Sequence, residues 1–290
     1  MTPLVKPSDF TPDTCDRGTG GIDWSAIASA ESMSSFCGIM AGFVFAGLVT
    51  VIGQKSASGG DGHASRGLKL LLPCFVGLAM ASYLYALTSG ELVCTRAVTE
   101  QLFSGAILAA HALVVIVGLA WLLPAYDRNK NGEVRFFRGL IQFAAQFSML
   151  MLMVSSDAYY NSMLHHRVAG WATVLVYGSG ATLMAASLLL WRKRLPSTPT
   201  PPAPLPSGVT AAGWPAYWRD EIILNRRVGI ASRAAVTVGG LLAVAGGCVV
   251  GIGYDRWTSM SPWLVYTLGE ISLVLPGLVI VTAVWSAPRD

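Results

Sequence analysis

The chain has 290 residues, of which 53% are apolar and 12% charged, with a mean hydropathy of +0.54. Despite a net charge of +4, that balance excludes an ordinary soluble domain, a disordered chain, a coiled coil and a nucleic-acid binder built on basic patches. It predicts an all-α, multi-pass protein of the cell membrane.

Residues 1–35 form a tail with five acids (Asp9, Asp13, Asp16, Asp23, Glu31) against Lys6 and Arg17. No basic region feeds an apolar run there, so no cleavable signal peptide is expected. Seven stretches then reach the roughly 20 apolar residues that a bilayer core about 30 Å thick requires. They are Phe36–Gly53, Leu70–Leu87, Leu102–Leu123, Phe136–Ser156, Val168–Trp191, Ala234–Gly253 and Trp263–Trp285. Spans one to five occupy 36–191, and the last two, with a short tail, occupy 233–290. The connection 192–232 contains LPSTPTPPAPLPSG, an extended spacer that cannot form helix. Trp214, Tyr217, Trp218 and Ile222 follow it at the spacing of one stripe of a short interfacial helix.

Lysine and arginine set the orientation. Of the 20 basic residues, 15 fall in the loops after spans one, three and five or at the C-terminus. The N-terminus is therefore expected outside and the C-terminus inside. The runs GGLLAVAGG in span six and AGFVFAG in span one place small residues for close helix packing. DRNKNGEVRFFR imitates the start of a calcium loop, but Arg138 stands where the bidentate acid belongs, so it predicts an Asn-Gly turn at Asn131–Gly132.

Ionisable residues inside spans are candidate functional groups because hydrocarbon penalises charge by several kcal/mol. His111 in span three and Glu270 in span seven come to similar depth, roughly 12 to 14 Å below the outer surface. Gln146 and Tyr177 lie comparably deep. Two readings stand for this set: a hydrogen-bonded structural pair that fixes helix register, or a carboxyl held for proton transfer, with His111 orienting or recharging Glu270. Nearer the outer rim, Glu31, Glu91, Glu100, Asp157, Tyr159, Tyr160, His165 and His166 gather at one face of the bundle. This second cluster is either an ordinary polar rim or the mouth of a cavity in which carboxyls act on a lipid-soluble substrate.

No cofactor is expected. His165 and His166 lie about a dozen ångströms from the depth of His111, which disfavours bis-histidine haem, and no Cys/His spacing marks a metal site. Span seven lacks the lysine that a retinal Schiff base needs. Cys15 and Cys94 share the outer side and could pair, while Cys37, Cys74 and Cys248 fall within spans as apolar filler.

Glu91 in TSGELVC, Asp157 in SSDAYY and Glu270 in TLGEISL set carboxyls in or at the ends of helices, with neither DDxxD nor DxDD present. In size and in this placement the chain resembles small seven-helix integral-membrane terpene cyclases. The resemblance is architectural and covers most of the bundle. It implies a carboxylic acid that protonates an alkene or epoxide of a prenyl chain, with Glu91, Asp157 and Glu270 as candidate acids. It also implies aromatic rings, here Tyr83, Tyr85, Tyr159, Tyr160 and Trp263, that stabilise the cation through their π faces. The competing expectation is a non-enzymatic membrane protein: a proton-coupled transporter, a channel subunit or a membrane-complex partner. On either reading the surroundings are the lipid bilayer and, for an enzyme, a hydrophobic small molecule, with no nucleic acid.

Labelling of single introduced cysteines with an impermeant maleimide checks the orientation. Positions in the tail and in the loop beyond Asp157 should react in intact cells, and positions in the Pro-rich loop should react only after lysis. The reverse pattern overturns the orientation.

Overall fold

The computed structural model describes residues 26–58, 62–91, 93–126, 131–164, 168–192, 214–251 and 261–288. They form seven helices: α1 (Ala26–Ser58), α2 (Gly62–Ser89), α3 (Cys94–Tyr126), α4 (Asn131–Met163), α5 (Gly170–Arg192), α6 (Trp214–Gly251) and α7 (Pro262–Ser286). Each contains a stretch long and apolar enough to cross a membrane. All described regular structure is helical, as expected where lipid supplies no partner for backbone amides and carbonyls.

The outer surface of the bundle is greasy. Phe43 on α1 is 71% exposed, Val174 on α5 72% and Val244 on α6 66%. In water such a belt would drive aggregation, whereas against acyl chains it is the ordinary lipid-facing surface. α3 is the most enclosed helix, packed against α2, α4, α6 and α7, while α5 and α1 lie at the margin. Successive helices run in opposite directions. Ser34 near the start of α1 and Ser82 near the end of α2 exchange hydrogen bonds to each other's carbonyls at 2.9 and 2.8 Å. We call the end where α1 begins the tail end.

At the opposite end a polar clamp ties four helices. The buried Arg66 of α2 donates from Nε to Asn225 Oδ1 at 2.9 Å and from Nη2 to Glu221 Oε1 at 3.3 Å, both on α6. Its guanidinium also lies 5.1 Å from the centre of the Trp121 ring on α3. Trp121 Nε1 in turn donates to the Ser286 carbonyl of α7 at 3.0 Å. The indole donor and two of the guanidinium donors are thus engaged where one end of the bundle closes.

Glycines set the closest approaches, and one slot matters most. The His111 ring of α3 lies between Gly77 of α2 and Gly239 of α6. A Cβ at Gly77 would overlap the ring, and one at Gly239 would come within 2.8 Å of it. Of the two predicted packing runs, the one in α6 packs through Gly239 and Gly246. Gly42 and Gly47 of AGFVFAG meet nothing within 4 Å, because α1 turns them away from its neighbours.

Three boundaries depart from the sequence reading. α1 begins at Ala26, ten residues before the predicted span, because the polar segment through Glu31 and Ser34 still satisfies its own backbone in helix. The residues read as a separate interfacial helix are the first turns of α6, which runs 38 residues without a break. Asn131 and Gly132 open α4 rather than forming a turn, consistent with the preference of asparagine for helix starts. The Pro-rich stretch and residues 127–130 lie outside the described residues.

Gly77→Ala should lower the thermal unfolding midpoint of the purified protein strongly, a cost of about 2 to 3 kcal/mol from overpacking against a ring with no room to move. Adding His111→Ala should restore much of the loss. Unchanged stability in the single variant would show that the slot is looser than its geometry.

Candidate functional site

A cleft of about 610 Å³ lies between α3 and α4 toward the tail end, lined also by Met33 of α1 and the buried Tyr85 of α2. Its walls follow helical periodicity. Val98, Leu102, Gly105 and Ala109 form one stripe of α3, and Ser148, Leu152, Ser155 and Ser162 form the facing stripe of α4. The hollow exists because Gly105, Ala106, Ala109 and Ala158 carry little or no side chain where two helices would otherwise interdigitate. Phe147, Met151 and Val154 line the cleft and also belong to the exposed outer surface. The opening therefore faces sideways, toward lipid.

Of the residues singled out from sequence, Tyr85 and Tyr159 line this cleft. Both are buried, and the Tyr159 hydroxyl accepts from Thr99 Oγ1 at 3.4 Å. The candidate acids lie elsewhere. Glu270 sits in a knot of α4, α5 and α7: Ser179 Oγ donates to its Oε2 at 3.3 Å, and the Tyr160 hydroxyl lies 3.5 Å from its Oε1. That hydroxyl donates to the Tyr266 carbonyl at 2.8 Å, and the Tyr160 ring packs where Gly269 leaves space. Tyr266 completes the knot, edge-on to Tyr160 at 5.2 Å between centroids and to Trp171 at 4.7 Å. Its hydroxyl accepts from the Ala169 amide at 3.0 Å.

His111 and Glu270 share depth but not a neighbourhood. His111 Nδ1 meets the Ile107 carbonyl of its own helix at 2.8 Å, and the far side of the ring faces the backbone of α6 at Ala235 and Gly239. The hydrogen bonds of Glu270 go to α4 and α5 instead, so no hydrogen bond joins the two. Gln146 is also separate, donating from Nε2 to Ser187 Oγ at 2.6 Å. Tyr83 (64%), Tyr177 (42%) and Trp263 (72%) are exposed on the outer surface, with Trp263 stacked obliquely on Trp171 at 5.6 Å. Asp157 is half-buried, its Oδ2 accepting from Asn161 Nδ2 at 3.3 Å.

The turn between α2 and α3 holds a bidentate ion pair. Arg96 donates from Nε to Glu91 Oε2 at 2.5 Å and from Nη2 to Oε1 at 2.6 Å, and the Val93 amide donates to Oε1 at 3.1 Å. Glu91 is thereby an anchor for the first turn of α3, with both oxygens engaged. Glu100, one helical turn beyond Arg96, is fully buried with neither carboxyl oxygen hydrogen-bonded among the described residues. It lies near Glu91 and Arg96 at the tail end, and its stripe of α3, shared with Ser104, Ile107 and His111, faces inward. Cys94 is disulfide-bonded, while Cys37, Cys74 and Cys248 are free thiols. Cys15, His165 and His166 lie outside the described residues.

Sequence reasoning missed the polar wall of the cleft: Gln101 on α3 with Ser148, Ser155 and Ser162 on α4. The available signal was the seven-residue spacing of those serines, which keeps them on one face over two turns each time.

Arg96→Met should destabilise the protein, because it leaves the nearly buried carboxylate of Glu91 without its cation, a loss of about 3 kcal/mol. The double variant Arg96→Met with Glu91→Leu should recover most of it in a thermal-melt cycle. Additive losses would show that the two side chains do not act as a pair. Comparison of the chain with protein-family models, with curated proteins and with solved structures returns no match, so geometry carries the reading that follows.

Proposed function

We propose that this multi-pass membrane protein takes a lipid-soluble small molecule, of the isoprenoid class to which the terpene-cyclase resemblance points, from the bilayer into the α3–α4 cleft. The observation that carries the reading is a cleft of about 610 Å³ whose mouth lies on the lipid-facing surface. That volume falls within the roughly 300–1,000 Å³ typical of small-molecule sites. Apolar walls with the rings of Tyr85, Phe147 and Tyr159 suit an unsaturated chain. The orientation proposed with it, N-terminus outside, rests on the distribution of lysine and arginine and puts the cleft in the outer leaflet.

Acid-catalysed cyclisation of the bound chain is the second reading, and one observation favours it. The rings of Tyr159 and Tyr160, adjacent on α4, have centroids 6.2 Å apart. Tyr159 lines the cleft while the Tyr160 hydroxyl meets Glu270. Glu270 is therefore the candidate acid that lies nearest the cleft through adjacent residues of α4. Glu91, held by Arg96, serves position rather than proton transfer, and Asp157 and His111 are not on the cleft wall. Without a reaction the same cleft would serve carriage or storage of the molecule.

The test is mass spectrometry of lipids that copurify with the protein from cells fed linear prenyl precursors. The wild-type protein should carry a prenyl compound, and Gly105→Phe, which fills the cleft, should lose it while remaining folded. Absence of any such lipid from the wild type overturns the uptake reading. A cyclised product that disappears in Glu270→Gln, with the linear compound still bound, supports the enzymatic reading. An identical product profile in that variant removes Glu270 from the chemistry.

A further inference from the structure

The cleft is apolar along most of its length but not at both ends alike. Toward the tail end it presents the Gln101 amide, the hydroxyls of Ser155 and Ser162 and the phenols of Tyr85 and Tyr159. Toward the middle of the bundle its walls are Leu108, Ala109, Phe147 and Leu152, with the single hydroxyl of Ser148. From Phe147 to Ser162 the α4 wall is about 22 Å long.

Three of the polar groups at the tail end, the side chains of Gln101, Ser155 and Ser162, are unused. Elsewhere in this bundle helical hydroxyls bond back to their own carbonyls, as Thr88 does to Leu84, Ser104 to Glu100 and Ser272 to Leu268. The side chains of Gln101, Ser155 and Ser162 make no hydrogen bond among the described residues. In a lipid-facing hollow, a primary amide and two hydroxyls left without partners carry a desolvation cost that a bound polar group would remove. Gln101 supplies both donors and an acceptor, so it can meet an alcohol or a carbonyl equally well.

Among the described residues, no lysine, arginine, histidine, aspartate or glutamate lines the cleft. A phosphate or carboxylate head would enter a low-dielectric site with no cation on the wall, at a cost of the same kind that keeps charge out of hydrocarbon. A bare hydrocarbon would leave the amide and hydroxyls unmet. We infer that the cleft selects an amphiphile with an uncharged oxygen head, an alcohol or ketone, held toward the tail end by Gln101 together with either Ser155 or Ser162, which stand two helical turns apart, about 10 Å, and so cannot share one oxygen. Its single chain lies between α3 and α4, with the far end against Leu108 and Phe147. This inference rests on the uptake reading and deepens it. It gives the molecule a charge, a direction and a length.

The test uses the full chain in phosphatidylcholine nanodiscs. Three photoreactive probes of four isoprene units, each with a diazirine at the chain end, differ only in the head: an alcohol, its phosphate monoester and the matching hydrocarbon. The alcohol should crosslink most efficiently, and the adduct should map near Leu108 or Phe147. Gln101→Leu and, separately, Ser155→Ala with Ser162→Ala should weaken competition by the unlabelled alcohol about tenfold, the worth of a buried hydrogen-bonding group left unmet. Neither should change hydrocarbon labelling. Equal or better labelling by the phosphate or the hydrocarbon, or an adduct at Val98 or Ser162, overturns the inference while leaving uptake intact. Failure of all three probes to label the wild type overturns the uptake reading itself.

Discussion

Lipid offers a polypeptide no hydrogen bonds, and every feature of this bundle answers to that absence. Backbone groups close on themselves in seven helices, and apolar side chains turn outward. Much of the side-chain polarity sits where it finds a partner. The partners differ in kind from one end of the molecule to the other. Opposite the tail, Arg66 is satisfied by an amide, a carboxylate and an indole face. At the tail end, Glu91 takes both nitrogens of a fork from Arg96. Between them His111 depends on its own helix and on the space two glycines leave. Charge pairing works at the rims, and close packing with local hydrogen bonds works in the middle, as the depth dependence of desolvation requires.

How far the sequence anticipated this depends on which coordinate is asked for. Position along a helix axis is written in the length of each apolar run, and all seven membrane-spanning helices were legible on that ground. Rotation about the axis is not written there, because seven similar apolar stretches leave helix order undetermined. His111 and Glu270 illustrate the difference. Equal depth suggested a pair, yet one points between α2 and α6 and the other between α4 and α5. Glu100 is the converse case. Its depth beside Glu91 was legible from its position at the start of a span, whereas its complete burial depends on a rotation that was not. Tyr85 and Tyr159 were legible as candidate lining residues from residue type, whereas Gln101 and the serine stripe required knowing that α3 faces α4.

The boundary errors share a cause. A sharp change in hydropathy marks where apolar character ends, not where a helix does, and helix continues as long as nothing breaks it. In α6 the aromatic and charged residues from Trp214 onward contain a proline only at the second position, where it is tolerated. The helix therefore extends about 57 Å in all, well beyond what the bilayer core needs. Glu221 and Asn225, which receive Arg66, belong to this early part. The clamp exists only because the helix did not stop at the hydrophobic boundary.

The sideways mouth of the cleft changes what concentration means for the proposed ligand. A molecule that enters from the acyl chains is counted in moles per mole of lipid, and its aqueous solubility drops out of the equilibrium. Two prenyl compounds with equal affinity for the walls would then differ in occupancy according to how strongly each enriches in the leaflet that the cleft faces. Membrane composition becomes part of the specificity of the site, and diluting the bilayer with inert lipid would empty the cleft without altering a single contact within it.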